Sequence, residues 1–91
     1  MRTIHKFEIK IGSFCLSLEK EAKVLTVATQ NGRPYMWVLR DTEKECIERR
    51  FHLFGTGDQI PKELELEFLG TFLLDEDMFV FHLFEEKTNE S

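Results

Sequence analysis

Hydrophobic and polar residues alternate along most of this chain, and a period of two predicts β-strands. Residues 3–11, for example, place Phe7, Ile9 and Ile11 on one face and charged residues on the other. Comparable strand patterns cover residues 14–19, 24–39, 47–54, 64–74 and 78–85. No segment keeps an apolar stripe at the 3.6-residue period of a helix. The pattern predicts an all-β protein, a small, mainly antiparallel β-sandwich or partly open barrel of about seven strands.

A hairpin over residues 23–41 is predicted to lie at the centre of the fold. Asn31-Gly32 suits a two-residue type I′ turn, because both residues tolerate positive φ. The resulting register places Gln30 opposite Arg33, Ala28 opposite Tyr35, Thr26 opposite Trp37, and Val24 opposite Leu39. Both faces of this hairpin are apolar. One face is therefore expected to cover the core, and the other to be covered by more of the chain or by another subunit.

A second hairpin is predicted around Ile11-Gly12, where it would pair Ile9 with Phe14 and Phe7 with Leu16. The residues predicted to be most buried are Phe7, Phe14, Leu16, Phe51, Leu53, Phe68 and Phe72. Arg49 falls on the inward side of its strand, so its guanidinium is expected to reach water or a carboxylate at the strand end. Residues 1–85 are predicted to form one β domain, and residues 86–91, which lack apolar side chains, a flexible C-terminal tail.

Composition and charge limit the kinds of molecule that the chain is expected to bind. The net charge is −5, which makes nucleic acid an unlikely partner, since phosphate binding usually goes with a basic excess. Cys15 and Cys46 form no Cys-x-x-Cys motif, and no apolar stretch resembles a signal peptide or a membrane span. The chain is therefore expected to be cytoplasmic, with free thiols and no membrane association.

Catalytic and metal-binding signatures are weak. His5, His52 and His82 lack the spacing of a metal site, and no nucleophile-elbow motif surrounds a serine. The three carboxylates of residues 75–77 fall in one turn, and no pair of them is marked out as a general acid and a general base. The sequence thus predicts no metal, no cofactor and no catalytic residue, and it favours a protein that is not an enzyme.

Two features could instead bind a ligand. The first is Gly55-Thr56-Gly57, which follows Arg49-Arg50: backbone N–H groups and a guanidinium can hold a phosphate, although Gly-x-Gly after a strand is also a common exit turn. The second is the pair Tyr35 and Trp37. These rings lie opposite the small residues Ala28 and Thr26. The space beside the rings could be filled by the protein's own core, by another subunit or by the flat ring of a ligand.

Five segments of the chain carry a resemblance to a known family: RTIHKFEI near the start, AKVLTVATQNGRPYMW in the central hairpin, RRFHLFGTGDQIP, FLGT and FVFHLFE. With these segments the sequence resembles a family of short phage- and prophage-encoded proteins of uncharacterised function. The family pattern tends to have a glycine where this chain has Glu76 and Asp77, so the last turn is expected to differ here. The resemblance implies a setting in host–phage conflict.

In that setting the expected function is binding: sequestration of a nucleotide-type signal as a counter-defence. Arg49, Arg50 and residues 55–57 would hold the phosphates, and Trp37 or Tyr35 the base. Two alternatives are an inhibitor of a host protein and a minor virion or assembly component. Because the hairpin and the last strand are apolar on both faces, a homo-oligomer, most simply a dimer, is also predicted.

Overall fold

The computed structural model describes residues 1–87, and these form seven β-strands. The strands are β1 (Arg2–Glu8), β2 (Ser13–Glu19), β3 (Lys23–Gln30), β4 (Arg33–Asp41), β5 (Cys46–Gly55), β6 (Leu66–Leu74) and β7 (Phe79–Glu86). Within residues 1–87 no helix is long and apolar enough to cross a membrane.

The strands build two antiparallel sheets packed face to face. One sheet has three strands in the order β1-β4-β3, and the other has four in the order β2-β5-β7-β6. The Cα positions extend only 15 Å along the shortest axis, which fits two layers about 10 Å apart. The predicted all-β sandwich is confirmed, and the two sheets do not close into a barrel.

The predicted hairpin at Ile11-Gly12 is wrong. Phe7 on β1 lies opposite Met36 on β4, whereas Phe14 on β2 lies opposite Phe51 on β5. The connection between β1 and β2 therefore passes from one sheet to the other. The matching apolar faces misled the prediction, because two strands that face a common core show the same alternation whether they pair with each other or not.

The central hairpin forms at the predicted turn. Asn31 and Gly32 have φ angles of 52° and 77°, and Thr26 lies opposite Trp37. A β-bulge at Leu25 then shifts the register, so that Val24 lies opposite Val38 and not opposite Leu39 as predicted. The bulge inserts one residue that the alternation of side chains did not reveal.

The core lies between the sheets and is largely the one predicted. Phe14, Phe51, Leu53 and Phe72 are buried, and Phe7 and Leu16 pack against them partly buried. Phe68 is the exception, with 56% of its surface exposed. A bulge between Phe68 and Gly70 reverses the alternation of β6. Leu66 and Phe68, before the bulge, therefore face outward, and Phe72, after it, faces the core.

The same bulge brings the two sheets together at one edge. A Cβ atom on Gly70 would lie only 2.8 Å from the Cβ atom of Val27, so β6 approaches β3 more closely than a larger residue allows. The Thr29 hydroxyl, also on β3, donates a hydrogen bond of 2.7 Å to the carbonyl of Leu73. These contacts join the three-stranded sheet to the four-stranded one.

At the C-terminal end, β7 continues to Glu86, one residue beyond the predicted domain boundary at residue 85. The backbone N–H of Lys87 donates to the carbonyl of Glu65. Residues 88–91 of the predicted tail lie outside the described residues.

Candidate functional site

Arg49, predicted to support a phosphate, is an interior residue. Its Nε and Nη2 donate to the two carboxylate oxygens of Glu85 at 2.5 and 2.8 Å, and its Nη1 donates to the carbonyls of Glu19 and Ala22. These hydrogen bonds to Glu85 raise the pKa of Arg49. The guanidinium thus joins β5 and β7 to the end of β2, and its donors point at protein atoms.

Arg50 and the glycine loop have internal partners as well. Arg50 is half-exposed, and its Nε lies 3.7 Å from a carboxylate oxygen of Glu86. In the loop, the N–H of Gly55 donates to the carboxylate of Asp58 at 2.7 Å, and the N–H of Thr56 donates to the carbonyl of Val80. The Asp58 carboxylate occupies the place that a bound anion would take, so the loop has the hydrogen bonds of a structural turn.

The structure also separates this region from the two aromatic residues. Tyr35 and Trp37 lie on the outward side of β4 in the three-stranded sheet, whereas Arg50 lies on the outward side of β5 in the four-stranded sheet. The two positions are on opposite surfaces of the sandwich. Within one chain they cannot hold the base and the phosphate of a single nucleotide.

What the structure does bring together is a continuous surface around Tyr35 and Trp37, here called the aromatic face. It consists of the outward residues of the three-stranded sheet. They are Arg2, Ile4, Lys6 and Glu8 on β1, Arg33, Tyr35, Trp37, Leu39 and Asp41 on β4, and Lys23, Thr26, Ala28 and Gln30 on β3. On β4 they alternate with the buried residues Pro34, Met36 and Val38.

The two rings sit side by side in the middle of this face. The ring centroids of Tyr35 and Trp37 are 6.2 Å apart, and their planes make an angle of 57°. The Lys6 ammonium lies 4.4 Å from the Tyr35 ring centroid and donates a hydrogen bond of 2.9 Å to the side chain of Gln30. Trp37 is half-buried and lies between Lys6 and the small Thr26 on the two neighbouring strands.

A family profile described as a domain of unknown function, DUF7352, matches residues 1–91. The chain belongs to the DUF7352 family. It matches no curated protein and no solved structure.

The outward side of the four-stranded sheet offers a contrasting surface, here called the phenylalanine face: Phe54, Phe68, Phe84, His52 and His82. The Phe84 ring meets those of Phe54 and Phe68 edge-on, with centroids 5.9 and 5.5 Å apart.

Both histidines of this face are hydrogen-bonded across strands. The ring of His52 lies 2.9 Å from the Ser13 hydroxyl and 3.1 Å from the Glu86 carboxylate. His82 lies between the hydroxyls of Thr56 and Thr71. The Ser13–His52–Glu86 hydrogen-bond chain could not be predicted from the sequence, because its members come from three strands whose pairing the alternation of residues does not specify.

A buried ion pair lies beneath one end of the aromatic face. The Arg40 guanidinium donates to both carboxylate oxygens of Glu19, and the Cys46 thiol lies 3.2 Å from one of them. The hydrogen bonds from Arg40 lower the pKa of Glu19 to about 2. The pair joins the end of β2 to β4, so its role in this DUF7352 protein is structural.

The described residues include no metal-binding group. Across residues 1–87, no three His, Cys, Asp or Glu side chains are placed to hold an ion. His5 is on the three-stranded sheet, while His52 and His82 are on the four-stranded one. Cys15 and Cys46 are both exposed free thiols.

Proposed function

We propose that this protein acts by binding, and that the aromatic face holds a nucleotide-type ligand by stacking its base on Trp37 and Tyr35. The proposed setting is the host–phage conflict that the resemblance implies, with the protein sequestering such a ligand. This keeps the two aromatic residues predicted from the sequence and replaces Arg49, Arg50 and the glycine loop as the phosphate contacts.

The observation that carries the proposal is the position of Trp37 among cationic side chains. Lys6 is its neighbour on β1, and Lys23 lies on β3 one outward row further along the sheet. A base stacked on the indole would place its sugar and phosphate within reach of such flexible ammonium groups. Lys6 already lies over the Tyr35 ring, so the face accommodates a cation and an aromatic plane in contact.

The chain supplies its own probe for this site. Trp37 is its only tryptophan, so its fluorescence reports on the aromatic face alone. We expect cyclic and linear nucleotides, titrated as a panel, to quench this fluorescence with saturation. A panel in which no nucleotide changes the emission, and none raises the melting temperature, would contradict the proposal.

Substitutions then locate the site. Trp37→Ala should weaken nucleotide binding in calorimetry by roughly 5- to 150-fold, since base stacking is worth about 1–3 kcal/mol. Phe68→Ala is the matched control, because Phe68 is likewise an aromatic residue on an outward strand face but lies on the opposite surface. Equal losses from the two variants would place the ligand somewhere other than the aromatic face.

The homo-oligomer predicted from the sequence remains a proposal, and the phenylalanine face is the surface that favours it. Phe68 and Leu73, both on the outward side of β6, are 56% and 43% exposed. An apolar surface with few charges can pack against a second copy without the repulsion expected between chains of net charge −5. Light scattering at micromolar concentration should give a dimer, and Phe68→Glu should convert it to a monomer. A wild-type monomer would contradict this.

A second candidate function is favoured by the Ser13–His52–Glu86 chain. A serine hydroxyl, an imidazole and a carboxylate in hydrogen-bonded order are the groups of nucleophilic acyl transfer. Slow hydrolysis of an activated phenyl ester that disappears in Ser13→Ala, with the fold intact, would support this activity. Equal rates for Ser13→Ala and the wild type would leave the three residues as a cross-strand hydrogen-bond network.

A further inference from the structure

The cationic residues of the aromatic face are distributed along its length. Arg33 lies at one end of β4, opposite Gln30, and Arg2 lies at the other end of the face, opposite Asp41. Lys6 and Lys23 fall between them, beside Trp37 and Leu39. At about 3.4 Å per residue, the eight steps from residue 33 to residue 41 span roughly 27 Å. A mononucleotide covers only a fraction of that length.

The face also differs in charge from the rest of the protein. It has four cationic side chains and two carboxylates, in a chain whose net charge is −5. One of those carboxylates, Glu8, lies 3.6 Å from the guanidinium of Arg33. The remainder of the chain is therefore strongly acidic while this surface is basic. The net charge, which argued against nucleic acid as a partner, averages over a basic face and an acidic remainder of the chain.

The shape of the face favours unpaired bases. Tyr35 and Trp37 are adjacent outward residues of one strand on an open sheet, and they can stack two successive bases of a strand whose bases are splayed out. The Lys6 ammonium lies 4.4 Å from the Tyr35 ring centroid, so a base on Tyr35 would displace this flexible side chain towards the phosphate. In a duplex the bases are already stacked on one another and turn only their edges to a protein surface. Aromatic platforms beside a basic track are the usual means of binding single strands without sequence preference.

We infer that the aromatic face binds single-stranded nucleic acid of about four nucleotides, running along β4 with two bases on Trp37 and Tyr35. The phosphates contact Lys6, Lys23 and the terminal arginines, Arg2 and Arg33. This inference rests on the proposed function, because it assigns a polymeric ligand to the same face.

The test is a titration by length, followed through Trp37 fluorescence. The probes are thymidine and uridine oligomers of one, two, four and eight nucleotides, together with a blunt duplex of eight base pairs. We expect affinity to rise at least tenfold from the mononucleotide to the four-nucleotide oligomer and then to level off. With about three phosphate contacts, log K should fall with log salt with a slope near −2.

Two charge variants supply the matched comparison. Lys23→Gln should weaken binding of the four-nucleotide oligomer several-fold and reduce the salt slope by about 0.7, with the mononucleotide little affected. Arg50→Gln removes one half-exposed positive charge from the opposite surface and should change neither quantity.

The outcomes separate the inference from the proposed function. If the mononucleotide binds as tightly as the longest oligomer, the inference is overturned and the proposed function stands. If the duplex binds as tightly as the single strands, or if Arg50→Gln reduces the slope as much as Lys23→Gln, the inference is also overturned. If neither nucleotides nor oligomers change the fluorescence, both fall.

Discussion

The two outer faces of the sandwich both present aromatic rings to solvent, but their polar groups differ. On the phenylalanine face, His52 and His82 bridge neighbouring strands and are hydrogen-bonded to hydroxyl and carboxylate groups of the protein. On the aromatic face, Lys6 and Arg33 are exposed, and each contacts one polar side chain at the surface, Gln30 for Lys6 and Glu8 for Arg33. Aromatic residues alone therefore do not distinguish a binding surface from a packing surface in this fold.

The contrast assigns different roles to the two faces. A polar group whose partners are all within the protein fixes strands in register and has little capacity left for a ligand. An exposed cationic group beside an outward-facing ring can neutralise a phosphate while the ring stacks a base. The phenylalanine face accordingly suits packing against a second copy, and the aromatic face suits an anionic ligand.

The largest expected effect tests whether both faces are surfaces, since a face that is covered in solution would behave like the core. Phe51 is fully buried and stacks on Phe14 with ring centroids 5.2 Å apart, so Phe51→Ala should lower the free energy of unfolding by about 3–5 kcal/mol. Phe68→Ala, on the phenylalanine face, should cost the monomer less than about 1 kcal/mol. Denaturant melts measure both changes.

If Phe68→Ala proves as costly as Phe51→Ala, the phenylalanine face is covered in solution. Repeating the melts across protein concentration then identifies the cover. A cost that grows with concentration indicates that a second copy buries Phe68, since a dimer's stability depends on protomer concentration.

The second prediction concerns the edge that holds the two sheets together. Gly70→Ala would place a methyl group 2.8 Å from the Cβ atom of Val27 and should cost about 1–3 kcal/mol through overpacking. The control is Gly55→Ala, whose added Cβ would meet only the carboxylate oxygen of Asp58, at 3.3 Å. Equal melting temperatures for Gly70→Ala and the wild type would mean that β3 and β6 separate easily.

The β-bulges in β3 and β6 mark the limit of what the sequence could predict. Alternation correctly predicted the strands, the Asn31-Gly32 turn and most of the core. One inserted residue reverses every side chain after it, so alternation read across the bulge in β6 placed Phe68 in the core. The order of the strands could not be predicted either. Strands of different sheets, such as β1 and β2, face the same core and therefore show the same apolar alternation.

The candidate site shows the same limit. Tyr35 and Trp37 could be found from turn chemistry and strand phase, which are local properties of the chain. Arg49 and Arg50 are adjacent in sequence and looked equivalent as anion ligands. Only the fold shows that Arg49 binds the buried Glu85 and that Arg50 lies on the face opposite Trp37. The cationic row of the aromatic face depends on the pairing of β1 with β4, which the sequence did not predict.

The third prediction uses pH to separate the interior from the surfaces. Because Arg40 lowers the pKa of Glu19 to about 2 from an ordinary value near 4.5, the ionised carboxylate stabilises the fold fully above about pH 4.5. That contribution is lost as the pH falls from 4.5 through about 2. Glu19→Gln should therefore show a smaller decline in stability over this range than the wild type, in denaturant melts at pH 7, 4 and 2.5. The exposed Glu48→Gln controls for simple charge removal, and matching pH profiles for Glu19→Gln and the wild type would contradict this role.

The smallest expected effect lies in a turn that belongs to neither face. Asp75, Glu76 and Asp77 all have positive φ, between 54° and 69°, a conformation that costs most L residues free energy. Glycine adopts it freely, so Glu76→Gly should raise the free energy of unfolding by a few tenths to about 1 kcal/mol. Asp77→Gly should gain less, because the short side chain of aspartate tolerates this conformation better than that of glutamate. Thermal melts give the order of the two variants, and Trp37 titrations should show unchanged ligand affinity in both. The turn borders Thr29 and Gly32 at the end of the central hairpin. A variant that gains stability but loses affinity would show that the turn takes part in binding. The binding surface would then extend beyond the three-stranded sheet.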